Sequence, residues 1–547
     1  MKAGFPYKSM LRREFRGYNR RSLLRDALAG MTVGAVALPL ALAFGAASVD
    51  DAHLSIGICG GLITAVLAGI ITGLLGGGSF QISGPTGAMT VILGGIVSGQ
   101  YGLSGMFLAT FLAGAMLLLA GLLHLGALVR FIPRPVVAGF TSGIAIVIAL
   151  GQLGNFFGVS LQGETTIGKT LHLFSQQMGE ISLCAVLCSV AAIVFLFLYP
   201  KKWGKYLPGS LALMVALTAV AVLFDLPLRQ IGDLPRTLLN EQRLLFPAIS
   251  REMLFAVLPF ALTIALLGAV ESLLCGACAA NMKKEPFDSD IELIAQGIGN
   301  MVIPLFGGVP STAAIARTSV AVKNGGVTRL TSLFQSLFLL ICMFALTPAI
   351  ARVPYTALAG VLMVTAWRMN DWKDIRFMFS HRLYEAITMF LVTMAATVLL
   401  DLTYAILLGV CVALVFLCVR FALLQGKLGK KVLRFSPLRV TPADEGLFCS
   451  GVLFFGNAER LTRAIAALPA QEEAARIDLS GIRFIDISAA QALRVAAHGA
   501  QEAGRPLHFC GVHPEVHRLL LSVSMEDHAA VFAADGTDCP ALSEADA

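Results

Sequence analysis

Between Asp26 and Arg130 the chain carries two formal charges, Asp50 and Asp51. No water-exposed segment of that length is so bare. Soluble proteins hold about 25% charged residues, whereas the whole 547-residue chain holds 14%, with 56% hydrophobic. In lipid every backbone amide needs an internal partner, so such a segment has to be helical or a closed barrel. The apolar blocks are long and continuous rather than alternating, which selects helices. The expectation is an all-α polytopic membrane domain.

Blocks at 28–48, 54–75, 103–123, 135–157, 181–199, 207–224, 253–282, 288–304, 330–351, 358–367, 384–400 and 402–423 are the candidate spans. Two shorter stretches bring the expectation to about 14 membrane elements. Eight Lys and Arg from Lys2 to Arg25 precede the first span, and Lys427, Lys430, Lys431 and Arg434 follow the last. Positive flanks stay cytoplasmic. Both ends are therefore expected inside, in a plasma or inner membrane, and the number of crossings even. The net charge of +7 is explained by these flanks and not by nucleic-acid binding. No cleavage site follows a brief apolar core, so no removable signal peptide is read.

The two shorter stretches set the functional expectation. Phe306–Gly326 reads F-G-G-V-P-S-T-A-A-I-A-R-T-S-V-A-V-K-N-G-G, and Leu75–Leu93 reads L-G-G-G-S-F-Q-I-S-G-P-T-G-A-M-T-V-I-L. Each has glycines, a proline and then small residues, and each is too short to cross a bilayer alone. Pro85 and Pro310 are 225 residues apart, at matching depths in the two halves. A half-helix starting inside the membrane leaves its first N–H groups unpaired and its positive dipole end inward. Small residues there let an anion approach the backbone. Substrate-binding candidates are thus Thr86, Gly87 and Ala88 in the first copy and Ser311, Thr312 and Ala313 in the second, with the second helix expected to open at Ser311. Arg317 adds a full charge, its side chain leaning back toward the helix start. A re-entrant loop or a kinked structural helix is the alternative for either stretch alone; paired broken helices are a transporter signature.

Glu271 is the one ionised group inside the block 253–282. An intramembrane carboxylate is a functional candidate by default. It either takes up a proton during transport, as the coupling site, or pairs permanently with Arg317. Pro39 interrupts the first span and frees a carbonyl that can line a path or merely bend the helix. Cys275-x-x-Cys278 has metal-like spacing but no second pair, so apolar packing is the reading; neither metal nor cofactor is expected.

Q-I-S-G-P-T-G-A from Gln81, R-F-I-P-R-P-V-V-A-G-F-T-S-G from Arg130, A-L-L-G-A-V-E-S-L-L from Ala265 and A-R-T-S-V-A-V-K-N-G-G from Ala316 resemble the SulP family of anion transporters. The resemblance implies a seven-plus-seven inverted repeat with core and gate parts and substrate held between the third and tenth elements. It places the family's acidic site on Glu271 and its basic site on Arg317. Sodium-coupled bicarbonate members lack that arginine, which turns the expectation toward proton symport or anion exchange, with sodium the other candidate ion. Many sulfate permeases have glutamine and tyrosine in the first span, where this chain has Leu40 and Phe44. Phe44 joins the substrate-binding set, and the drier wall points away from sulfate toward bicarbonate, chloride or a small carboxylate. Homodimers are usual in the family.

From about Val440 the composition becomes charged and mixed. Strands at 446–455, 475–479 and 507–510 with helices at 458–468 and up to Ala503 read as a small α/β domain. D-L-S-G-I-R-F-I-D-I-S-A-A from Asp478 resembles the STAS domain of SulP transporters and anti-sigma-factor antagonists. Ser488 is then either the cap of the following helix or a phosphorylation site able to change docking to a cytoplasmic partner. His508, His513, His517 and His528 read as solvated residues. The domain expectation is a basic arm over 1–26, a transport region over 27–425, a basic linker over 426–439 and the STAS domain over 440–547. No nucleophile–base pair, metal cluster or phosphate loop has the spacing of an enzyme. The leading function is secondary active transport, by alternating access, of an anion of the sulfate, bicarbonate or small-dicarboxylate class. A nucleobase permease of the same fold and a membrane-anchored signalling protein acting through its tail are the alternatives.

Overall fold

The computed structural model describes residues 7–97, 99–126, 133–159, 178–200, 207–232, 234–245, 250–283, 285–400, 438–443, 446–454, 456–468, 475–502, 507–523 and 529–533, with 168, 170, 203, 408–409, 411–412, 414–416 and 525. Most of the expected last span, the linker lysines and His528 lie outside the described residues. The chain divides into two compact units, residues 1–129 with 144–370, and residues 130–143 with 371–547.

The first unit begins with a short helix α1 (Tyr7–Glu14) and continues through α2 (Arg20–Ala47) and α3 (Leu54–Leu75). The short strand β1 (Ser83–Gly84) leads into α4 (Gly87–Val97), α5 (Gly102–Leu122), α6 (Arg134–Gly151) and α7 (Leu153–Phe157). Residues 144 onward of α6 belong to this unit. Next come α8 (Leu183–Leu198), α9 (Gly209–Leu223), α10 (Arg251–Lys283) and α11 (Ser289–Val302). A second short strand β2 (Thr312–Ala313) precedes α12 (Ile315–Lys323), followed by α13 (Leu330–Ala345), α14 (Thr347–Ile350) and α15 (Tyr355–Met369). Among the described residues five helical segments are long and apolar enough to cross a membrane, and five shorter apolar helices accompany them. Pro39 is buried inside a continuous α2.

Small residues let these helices touch through their backbones, as association in lipid requires. A methyl on Gly61 of α3 would lie 2.1 Å from the Ala41 carbonyl oxygen of α2, and one on Gly297 of α11 would lie 2.5 Å from the Leu118 amide of α5. No side chain fits at either crossing.

Polar clasps close one end of the unit. Asp26, fully buried, accepts from the Val327 and Thr328 amides at 2.6 and 3.0 Å, and from the hydroxyls of Thr328, Thr331 and Tyr18 at 2.6, 2.9 and 2.9 Å. Glu14 accepts from both the amide and the Nε of Arg329, at 2.6 and 2.9 Å. The basic arm's two acidic residues, Glu14 and Asp26, thereby anchor its described part.

In the second unit, α16 (Trp372–Ser380) and α17 (Tyr384–Leu399) precede the tail. There β3 (Arg439–Ala443), β4 (Gly446–Leu453), α18 (Ala458–Ala467), β5 (Ala475–Ile485), α19 (Ile487–Glu502), β6 (Leu507–Val512), α20 (Pro514–Ser522) and β7 (Ala530–Ala533) build a sheet of order β3-β4-β5-β6-β7. β3 runs antiparallel to β4 and the remaining pairs are parallel. Ile477, Leu479, Leu493, Phe509 and Leu520 form its buried core. The second strand runs six residues beyond its expected end at Leu479, because Ile482, Phe484 and Ile485 are also buried against it. In this unit the Arg494 guanidinium of α19 lies 3.9 Å from the centroid of the Phe377 ring of α16.

Candidate functional site

The two glycine- and proline-broken stretches meet. β1 and β2 pair antiparallel, with Ser83 opposite Ala313 and Gly84 opposite Thr312. Two further bonds extend the crossing: Ala314 N–H donates to the Ile82 carbonyl at 3.0 Å, and Ile82 N–H donates to Thr318 Oγ1 at 3.1 Å. All four paired residues are buried, and backbone shut away from water is tolerated only when protein satisfies it. Here each broken stretch satisfies the other.

Directly beyond the pairing, Thr86 Oγ1 and Thr312 Oγ1 lie 3.3 Å apart. Both hydroxyls donate to Oε2 of Glu271, at 3.2 and 2.8 Å. Arg317, 1% exposed, reaches back from the first turn of α12, and its Nη2 donates to the Pro85 carbonyl at 2.8 Å. Its Nη1 is buried with no partner. A methyl on Gly84 would stand 2.4 Å from that Nη1, so only glycine leaves the guanidinium this place. Among the described residues no direct ion pair joins Arg317 to Glu271: the carboxylate is held by two threonines and the guanidinium by a carbonyl. An unpaired donor on a buried cation is costly unless something negative meets it.

α4 starts at Gly87, so the amides of Gly87 and Ala88 stand at a helix N-terminus without intrahelical acceptors. A methyl on Gly87 would come within 2.9 Å of Phe44 Cε1 and 2.5 Å of Ile148 Cδ1. Phe44 of α2 thus stands over the start of α4, and it brings an apolar wall to a place otherwise made of donors.

Three expectations are corrected. The second helix does not open at Ser311 but at Ile315, since Thr312 and Ala313 are drawn into the strand pairing. Ser311 is consequently a linker: its N–H donates to Asn300 Oδ1 at 2.8 Å and its carbonyl accepts from Asn300 Nδ2 at 2.9 Å. Only its hydroxyl is unpartnered. The Ala313 amide is equally committed, to Ser272 Oγ at 3.2 Å. In the second unit, Ser488 is not the cap of α19. Asp486 precedes that helix and its carboxylate accepts from the Ala489 N–H at 2.7 Å, while Ser488 already lies in the helix and is 5% exposed.

The groups that hold the crossing were missed as functional residues. Glu292, Gln296 and Asn300 of α11 are all buried. Glu292 accepts from the Gly77 amide at 2.9 Å, Gln296 donates to Ser83 Oγ at 2.8 Å and to Glu292 at 2.9 Å, and Asn300 clamps Ser311. Their spacing of four residues, one helix face, was readable in S-D-I-E-L-I-A-Q-G-I-G-N.

Residues 23–393 match the sulfate permease family and residues 441–534 the STAS domain. A putative sulfate transporter of Bacillus subtilis, YvdB, is 38% identical over 82% of this chain and 84% of its own length. The bicarbonate transporter BicA of Synechocystis is 31% identical over 91% of this chain and 90% of its own. The solved transmembrane domain of a cyanobacterial BicA superposes with a TM-score of 0.66 at 29% identity, covering 71% of this chain and 98% of that one.

Proposed function

The chain belongs to the sulfate permease family of membrane transporters and carries a STAS domain, and from that membership we propose that it is a secondary active transporter of a small anion working by alternating access. The observation that carries the proposal is the meeting of β1 and β2, which brings Thr86, Thr312, Glu271 and Arg317 to one buried point. The substrate sits beside this point. It takes the Gly87 and Ala88 amides, exchanges with Pro85 for the Arg317 guanidinium, and rests on Phe44. Ser311 and Ala313 hold the backbone in place rather than touching substrate.

Glu271 is the coupling group. Its carboxylate is tied to hydroxyls on both broken elements, so taking up a proton changes what joins them. Proton symport or anion exchange follows from this, as an uncharged Glu271 leaves Arg317 a full positive partner for the anion. The apolar face that Phe44 turns to the start of α4 favours bicarbonate or a small carboxylate over sulfate, although the relatives include both a putative sulfate transporter and a bicarbonate transporter. The same proposal has the chain act in the cell's plasma membrane as a homodimer with both ends cytoplasmic. Its parts are the arm to 26, the transport region over 27–425, the linker to 439 and the STAS domain beyond, with Ser488 reaching a kinase only when its helix start opens.

Uptake of labelled bicarbonate, formate, succinate and sulfate into proteoliposomes, with imposed proton and sodium gradients, tests this. Arg317→Gln is expected to abolish uptake, and Glu271→Gln to leave exchange but remove its response to a proton gradient. Wild-type flux in both variants defeats the assignment.

A further inference from the structure

The first unit contains a polar cavity lined by none of the residues at the junction of β1 and β2. It has a volume of about 80 Å³ and lies among the end of α7, the start of α8, the segment after α9 and the first turn of α15. A buried water needs roughly 10–15 Å³ on this measure, so the space admits several waters or one small oxyanion. Asn155, Ser182, Arg229, Tyr355 and Thr356 give it polar walls, and the residues lining it include one cation and no carboxylate.

The cation and the helix start are held together by backbone. Tyr355 N–H donates to the Arg229 carbonyl at 3.0 Å, Ile231 N–H to Val353 at 3.0 Å and Gly232 N–H to Ala351 at 2.9 Å. Gln230 bridges Pro354 in the same ladder. The Arg229 guanidinium carbon then lies 5.7 Å from the centroid of the Tyr355 ring. In the first turn of α15 the Tyr355 and Ala357 amides are taken by the Arg229 and Pro354 carbonyls. The hydroxyl of Thr356, a residue 3% exposed, is buried with no partner. A polar atom shut away unpaired beside a helix N-terminus lacks an acceptor, and an anion supplies one.

We propose that this cavity is a second binding site for a small inorganic oxyanion, with Arg229 supplying charge and Thr356 its hydroxyl and amide. It holds an anion independently of the transport site, with which its lining shares no residue.

Equilibrium dialysis of the purified full chain against radiolabelled sulfate provides the test. A saturable component is expected that survives Arg317→Gln in the transport site. Arg229→Gln and Thr356→Val are each expected to weaken that component about tenfold or more, the loss typical of a hydrogen bond to a charged group. Thr356→Val conserves volume, so it carries the test if Arg229→Gln misfolds, and melting curves tell the two apart. A component lost in Arg317→Gln overturns the proposal. So does one that binds sulfate as wild type in Thr356→Val.

Discussion

Replacing Thr312 by valine keeps the branched shape and removes only the hydroxyl, which makes it the sharpest probe of the junction. That hydroxyl donates to Glu271 Oε2 at 2.8 Å, and the second donor to the same oxygen, Thr86, is farther at 3.2 Å. A hydrogen bond to a charged group contributes about 1.5–3 kcal/mol net. Because Thr86 remains to share the oxygen, the lower end applies, and about 1.4 kcal/mol per tenfold gives a roughly tenfold fall in uptake. Thr312→Ser should restore most of the flux. The two threonines act on one atom, so Thr86→Val combined with Thr312→Val should depart from additivity by about 0.5 kcal/mol or more. Initial rates of labelled-anion uptake into proteoliposomes, normalised to reconstituted protein, measure all four. Wild-type rates in Thr312→Val, or strict additivity in the double variant, would refute the shared-carboxylate reasoning.

Gly61→Ala places a methyl against the Ala41 carbonyl and should destabilise the α2–α3 crossing by about 1–3 kcal/mol, seen as a lower melting temperature in detergent; an unchanged melt would contradict the close approach. Asp486→Ala removes the cap on α19 at a cost of about 1 kcal/mol, which lowers the melting temperature of the STAS transition, whereas Ser488→Ala should leave the capping bond intact. Partial burial, and then the Asp26 carboxylate, push the Tyr18 phenol from its ordinary 10.0 up to about 12. A raised pKa means that the folded state keeps the proton longer than the unfolded one. The stabilisation is therefore complete below pH 10 and lost as the pH rises toward 12. Ultraviolet titration of wild type against Tyr18→Phe should place this phenol's ionisation above pH 10; ionisation at the ordinary value excludes the Asp26 contact.

Much of this protein was legible because lipid and turn chemistry act locally. The missing charges from Asp26 to Arg130 required membrane helices, and the matched prolines at 85 and 310 located both broken elements. Glu271 was legible as the one ionised group of its apolar block and Arg317 as the cation of the second broken stretch, and the charged, mixed tail after Val440 announced a small α/β domain. None of these statements needs to know which residue faces which across the bundle.

Partnership did depend on that knowledge. Ser311 and Ala313 look like free donors in the chain, yet Asn300 and Ser272 already occupy their amides. A permanent ion pair of Glu271 with Arg317 was one of two readings open in the chain, yet two threonines take the carboxylate and the Pro85 carbonyl takes the guanidinium. Asp486 rather than Ser488 caps α19 for the same kind of reason, a displacement of two residues that only the backbone path settles. Sequence determined where backbone groups would be left without partners, because a break in a helix exposes them wherever it occurs. The tertiary structure decided which groups answer them, because hydrogen bonds reach only about 3 Å and the chain brings residues more than 200 positions apart within that reach.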